Sequence, residues 1–246
     1  MNDYERQKYN YSQPEVWSPE GGARPIKPQT ASAATVAERI AFIRKVYALF
    51  FAATLFAVGG VGLGLAFPPL MISAAQHPWI MFFLMIGGVM AAQSVRHVPV
   101  VNLFALFGFT ALTGVVISPL LYYVGKTNFE SIIQAGMLTI GIFGGLTAYV
   151  FLSNRDFSFL RGMVTVGLIV VIMAGFFNVL FVGSLGFGFA ISVAVLLLFS
   201  GFVLYDTSNI IRRYPTNEYI SAALALYLDA FNMFLALLRI LNAGRR

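Results

Sequence analysis

The sequence predicts an all-α polytopic membrane protein with seven transmembrane helices, and three observations carry that prediction. Hydrophobic residues make up 59% of the 246-residue chain and charged residues only 11%, a balance suited to lipid-embedded surface and foreign to an ordinary soluble domain. Seven apolar stretches each approach the ~20 residues needed to cross a ~30 Å hydrocarbon core. The connections between them are short, which implies a bundle of antiparallel neighbours with no room for a soluble catalytic domain.

In chain order, residues 1–45 read as a cytoplasmic, largely disordered tail, rich in polar residues and with prolines at 14, 19, 25 and 28. Disorder is expected as far as about Ser32, followed by a short amphipathic lead-in through Ala41 and Ile43. Tyr4, Tyr9, Tyr11 and Trp17 read as interfacial aromatics of a solvated tail, a partner-binding motif being the alternative. Residues 46–243 form the transmembrane domain, with spans at about 46–67, 79–95, 100–124, 129–152, 160–182, 187–211 and 219–241. FPPLMISAAQHP, RHVP, GKTN, SNRDFS, GSLG and RRYPTNEY connect them.

Charge sets the orientation. The tail before the first span carries seven Lys/Arg, and the second, fourth and sixth connections hold Arg96, Arg155 with Arg161, and Arg212 with Arg213; the opposite side holds only Lys126. The N-terminus is therefore expected in the cytoplasm. Seven spans put Arg245 and Arg246 outside, against the rule, and a re-entrant last helix is the alternative that keeps them inside. The net charge of +6 is scattered over tail and loops, so it speaks for orientation rather than for nucleic acid.

The chain has no cysteine, which excludes disulfides and thiolate metal sites. Its two histidines, His77 and His97, fall in connections, so a buried histidine metal centre or haem function has no support. Gly60 with Gly64, Gly141 with Gly145, and Gly183, Gly186 and Gly188 have the spacing that lets helix backbones approach closely in a bilayer. GVGLG is no nucleotide loop, because no strand precedes it and no suitable Lys follows.

Two carboxylates stand out. A charge at the bilayer centre costs at least ~2.5–3.5 kcal/mol, so it marks a partner or a hydrated path. Asp206 lies roughly 9 Å inside the cytoplasmic edge marked by Arg212, and Asp229 about 15 Å in from the same face, at ~1.5 Å per residue. Antiparallel helices joined by a short loop bring them to similar depth, which makes them each other's expected partners. Each has an amide three residues on, Asn209 and Asn232, on the same helix face. Tyr205, Tyr227, Thr207 and Ser208 are further oxygen donors, while Asn102 and Asn178 suit helix–helix hydrogen bonds. Two close carboxylates in a low dielectric cannot both ionise at small cost, so the pair titrates as a unit. Arg96 is the cation placed to act as its latch, with an ordinary interfacial anchor as the alternative.

YDTSNIIRRY, SAALALYLDAFNMFLALLRIL, FGGLTAYVF, SNRDFSFLRGM and FNVLF together resemble the Bax inhibitor-1 family, here a bacterial member, over about residues 35–243. The resemblance implies six helices around a central C-terminal helix. In bacterial members that leak calcium, an aspartate pair on the sixth and seventh helices senses pH beside an arginine from the second; by motif these are Asp206, Asp229 and Arg96, although VRHVP lacks the basic run expected around that arginine. Other members use a cytoplasmic N-terminal tail to grip a membrane-bound ATP-dependent protease.

The leading expectation is a pH-sensitive cation leak, for Ca²⁺ above all, in a bacterial inner membrane. Asp206 and Asp229 would coordinate the permeant ion weakly and transiently, with Asn209 and Asn232 in support and no resident cofactor. The alternative is a protease regulator, for which deleting residues 2–32 should abolish association and leave ion flux alone. A proton-coupled transporter lacks an evident inverted repeat. An intramembrane aspartyl protease would need Gly-x-Gly before its second aspartate, where Asp229 has Leu226-Tyr227-Leu228. In the plainest reading both aspartates only join helices.

Overall fold

A computed structural model describes residues 30–153 and 155–243, and it is helical almost throughout. The helices are α1 (Val36–Ala66), α2 (Pro68–Gln76), α3 (Pro78–Ser94), α4 (Val101–Ser153), α5 (Arg161–Phe177), α6 (Leu185–Arg212) and α7 (Tyr219–Ala243). A 3₁₀ turn at Ser158–Leu160 leads into α5, and a π turn at Asn178–Val182 extends it. Tyr4, Tyr9, Tyr11, Trp17, Arg245 and Arg246 lie outside the described residues.

α1 starts at Val36, well ahead of the apolar run, because Thr35 and Glu38 form a capping box: each side chain satisfies the other's backbone amide. Its 31 residues measure about 46 Å, so its first turns project beyond a ~30 Å core. The chain is ordered before the helix as well. Ala31 is fully buried, and its amide donates to Tyr214 O at 2.9 Å.

α4 holds two crossings. At ~1.5 Å per residue its 53 residues would run about 80 Å, but Asn128 leaves the helical region (φ −157°, ψ 70°) and reverses the chain. The contacts with α1 fix the directions. Phe56 stacks on Phe107, a Cβ on Gly60 would meet Ala111, and one on Gly64 would meet Ser118, so limb 101–127 runs parallel to α1. Phe50 stacks on Phe143 and Tyr47 packs on Phe151, so limb 129–153 runs antiparallel. These limbs are the expected third and fourth spans.

The connection FPPLMISAAQHP, expected as a loop, is mostly the helix α2, because its two prolines occupy the first helical turn, where their missing amides cost nothing. α2 and α3 meet at His77 with a bend of 97°. α3 has 17 residues, the short end of the lengths that cross a bilayer, and with α2 it forms a bent pair in the place of the second span. Of the glycines, Gly60 and Gly64 make the close approaches expected, whereas Gly141 and Gly145 have open space where a Cβ would stand, so that pair is no helix contact. Gly183 closes the π turn with φ +60°, a conformation that side chains with a Cβ rarely adopt.

α7 is the central element. Its apolar window is 44% buried, against 28% for α1 and α6 and 6% for α5 with its π turn, which therefore lies at the rim. Leu224, Leu226, Met233 and Leu238 of α7 are fully enclosed, together with Val46, Leu106, Val124 and Val203 from the surrounding helices. Because lipid tails are as apolar as these side chains, packing rather than hydrophobic transfer holds the bundle.

Candidate functional site

The basic connections gather at one end of the bundle. Ser32 N–H donates to Arg212 O, Arg212 Nη2 to Arg155 O at 3.2 Å, and Arg213 Nη2 to Asp156 Oδ2 at 2.7 Å. Ser158 N–H caps the other oxygen of Asp156 at 2.9 Å. That amide chiefly holds the Asp156 carboxyl below the usual carboxylate range; burial opposes it, and the Ser158 hydroxyl, Arg213 and Arg212 add to it.

Asp206 on α6 and Asp229 on α7 lie inward of this end, near enough for the charge of one to act on the other. Asp229 is 3% exposed, and its Oδ2 has no hydrogen-bond partner. An enclosed carboxylate oxygen without a donor is costly for an anion. Among the described residues no group of three or more His, Cys, Asp or Glu surrounds a common centre, so the carboxylates stand as a pair.

Most of the expected supporting groups are engaged elsewhere. Asn232 Nδ2 donates back to Leu228 O at 2.8 Å, and Tyr227 bonds the Thr113 hydroxyl, whose proton goes to Thr110 O. Ser208 accepts from Phe157 N–H at 3.1 Å, while buried Thr207 lies toward Tyr47 and Thr147. Asn209 is buried at the basic end, its carbonyl accepting from the amides of Arg213 and Tyr214. Asn102 donates to Arg96 O at 2.9 Å, and Asn178 Oδ1 accepts from Ser184 N–H at 3.2 Å; both tie helices to connections.

Arg96 was expected beside the aspartates, but the structure places its guanidinium on Glu218, just before α7. Arg96 Nε lies 3.2 Å from Glu218 Oε2 and 3.1 Å from His97 Nε2, and His97 Nε2 lies 3.1 Å from Glu218 Oε1. Neutral His97 can accept from Arg96 at Nε2, whereas protonated His97 must donate there to Glu218. Ser221 joins the cluster, with its hydroxyl 2.9 Å from Glu218 Oε2 and 3.0 Å from Gln93 Oε1. The loop carrying Arg96 is strained at Val100, a β-branched residue with φ +68°.

Tyr214 connects these parts. Its carbonyl accepts from Ala31 N–H, and its half-buried phenol is near enough to Asp206, Asp229 and Glu218 to feel their charge. Burial first, and then the negative charge of those three carboxylates, pushes the phenol above the usual tyrosine range. Glu218 and Tyr214 were not singled out from sequence. The signal for Glu218 is its place in the short RRYPTNEY connection between two acidic helices, opposite the basic pair Arg96-His97.

The family profile described as "Inhibitor of apoptosis-promoting Bax1" matches residues 39–246. An uncharacterized protein of Campylobacter jejuni is 37% identical over 206 residues, covering 82% of this chain and 88% of the relative. Protein lifeguard 4 of Mus musculus is 31% identical over 215 residues, covering 86% and 89%, and the Golgi anti-apoptotic protein of vaccinia virus 30% over 220 residues, covering 88% and 91%. Helical architecture, central α7 and matches across nearly the whole chain lead to one conclusion: this multi-pass membrane protein belongs to the Bax inhibitor-1 family.

Proposed function

We propose that the protein is a pH-gated cation leak, favouring Ca²⁺, in a bacterial inner membrane with its basic end toward the cytoplasm. The observation that carries this reading is a carboxylate on the central helix and another on its neighbour, Asp229 being buried with its Oδ2 unpartnered. Acidic groups inside a bundle characteristically line ion or proton paths. The similarity to proteins of Campylobacter and Helicobacter supports the bacterial membrane, and the gathering of basic connections supports the orientation.

In this reading the conformation described is closed. Asp206 and Asp229 share a proton, and Arg96–Glu218 ties the α3–α4 loop to the α6–α7 turn. A change in the pair's protonation alters the charge between α6 and α7, and the turn moves away from α3. The opened path offers carboxylate oxygens from Asp206, Asp229 and Glu218, to which water and backbone carbonyls add. Calcium takes six to eight oxygen ligands, so three carboxylates with mobile oxygens hold it loosely enough to pass.

The test is Ca²⁺ entry into liposomes that contain the purified protein and a trapped indicator, stepped from pH 8 to pH 5. A rate that changes with pH is expected. Entry no faster than into empty liposomes at every pH would refute the leak.

A further inference from the structure

The α6–α7 turn is held from outside the helical bundle. Thr30 pairs with Pro215 as an antiparallel bridge, Ala31 N–H donates to Tyr214 O at 2.9 Å, and Ser32 N–H lies 3.4 Å from Arg212 O. Ala31 is fully buried within the main core cluster, so this contact is packed as well as hydrogen-bonded. The segment then passes directly into the capping box at Thr35 and Glu38, which fixes where α1 begins. A second tie lies beside it: the Lys45 ammonium sits 3.3 Å from the centroid of the Tyr219 ring, joining α1 to the first residue of α7.

The turn so held joins the two helices that carry the aspartates. Tyr214 takes part on both sides, bonding Ala31 through its backbone while its half-buried ring feels the charge of Asp206, Asp229 and Glu218. A movement of α6 against α7 at this end must therefore break the Ala31 bond or carry residues 30–32 with it. We infer that Thr30–Ser32 is a strap that holds the α6–α7 turn, and so the aspartate-bearing helix ends, in the closed arrangement. The strap rests on the leak reading for what is gated.

One consequence separates two truncations. Removing residues 2–28 leaves Thr30, Ala31 and Ser32 in place and should leave both turn and flux as in the intact protein. Removing residues 2–32 takes the strap away, so the deletion expected from sequence to leave flux alone should instead alter it. Ala31→Pro is the sharper variant, because it keeps the whole tail and deletes the amide that bonds Tyr214. Ala31→Gly, which retains that amide, is its control.

The experiment compares the full-length protein with these four variants in liposomes, reading amide hydrogen exchange of residues 210–216 and Ca²⁺ entry at pH 7. Ala31→Pro and the 2–32 deletion should each exchange faster in the turn and raise entry on the order of tenfold, the effect of losing one or two packed hydrogen bonds. The 2–28 deletion and Ala31→Gly should exchange at the wild-type rate. Unchanged exchange in Ala31→Pro and in the 2–32 deletion would overturn the strap, and faster exchange without a change in entry would overturn its hold on the gate. If the wild type passes no Ca²⁺, the leak reading fails by itself, and the exchange rates still decide the strap.

Discussion

Gly60→Ala should destabilise the bundle, while Gly59→Ala, one residue away, should not. A Cβ on Gly60 would stand 1.9 Å from the carbonyl oxygen of Ala111 and 2.8 Å from its carbon, both backbone atoms that no rotamer change can move. Relief requires α1 and the first limb of α4 to separate by roughly 1 Å, and overpacking of this kind costs about 1–3 kcal/mol. The mirror contact is as tight: a Cβ on Gly114 would lie 1.9 Å from Ala57 O. At Gly59 nothing lies within 4 Å, so alanine there should gain up to about 1 kcal/mol of helix propensity. Reversible unfolding in mixed micelles, with helicity as the readout, measures both. Gly60→Ala/Gly114→Ala should cost less than the sum of the single changes, because one separation relieves both clashes. Equal stability of Gly60→Ala and Gly59→Ala would refute the close crossing and the parallel register it sets.

Other outcomes follow at the basic end. Glu218→Gln with Arg96→Gln in a double-mutant cycle should give a coupling of about 0.5–1 kcal/mol, a modest value because the Arg96 side chain is 40% exposed. Asp156→Asn should flatten the acid limb of stability. The folded Asp156 carboxyl titrates below its unfolded value, so its contribution is full above about pH 4 and is lost as pH falls through the folded value; thermal midpoints from pH 6 to 2 would show the difference.

The crossings were legible because membrane thickness imposes a length on apolar runs, and charge asymmetry between connections gave the end at which they gather. Segments whose helical signal is local were harder to see. Pro68-Pro69 followed by LMISAAQ is a helix start and a helix body, yet its length matches no span, so α2 read as a loop. GKTN contains no proline, and the helical pattern runs into it from both sides, with only Asn128 leaving the helix. The capping box at Thr35-Val36-Ala37-Glu38 was readable in principle and dates the start of α1 more accurately than hydropathy does.

At the site, Asp206 and Asp229 were visible because charge is rare in such surroundings. Their supporting groups were not, since helical spacing gives a face but does not say which of several polar neighbours a side chain meets. Asn232 thus turns to its own helix, and Tyr227 turns to Thr113. Arg96 had the right end of the bundle and a different carboxylate, because Glu218 in a polar connection looks like any solvated residue until the loop from α3 is folded over it. The order of residues 30–32 had no periodic signal, and it comes from pairing with a turn far along the chain.

The aspartate pair is tested most directly by Ca²⁺ entry measured at closely spaced pH values from 8 to 5, for wild type and Asp206→Asn/Asp229→Asn in matched liposomes. The wild-type rate should change across this range, and the double variant's rate should be fixed or absent at every pH. A double variant that retains the wild-type pH response would contradict this and leave Asp206 and Asp229 as contacts between helices.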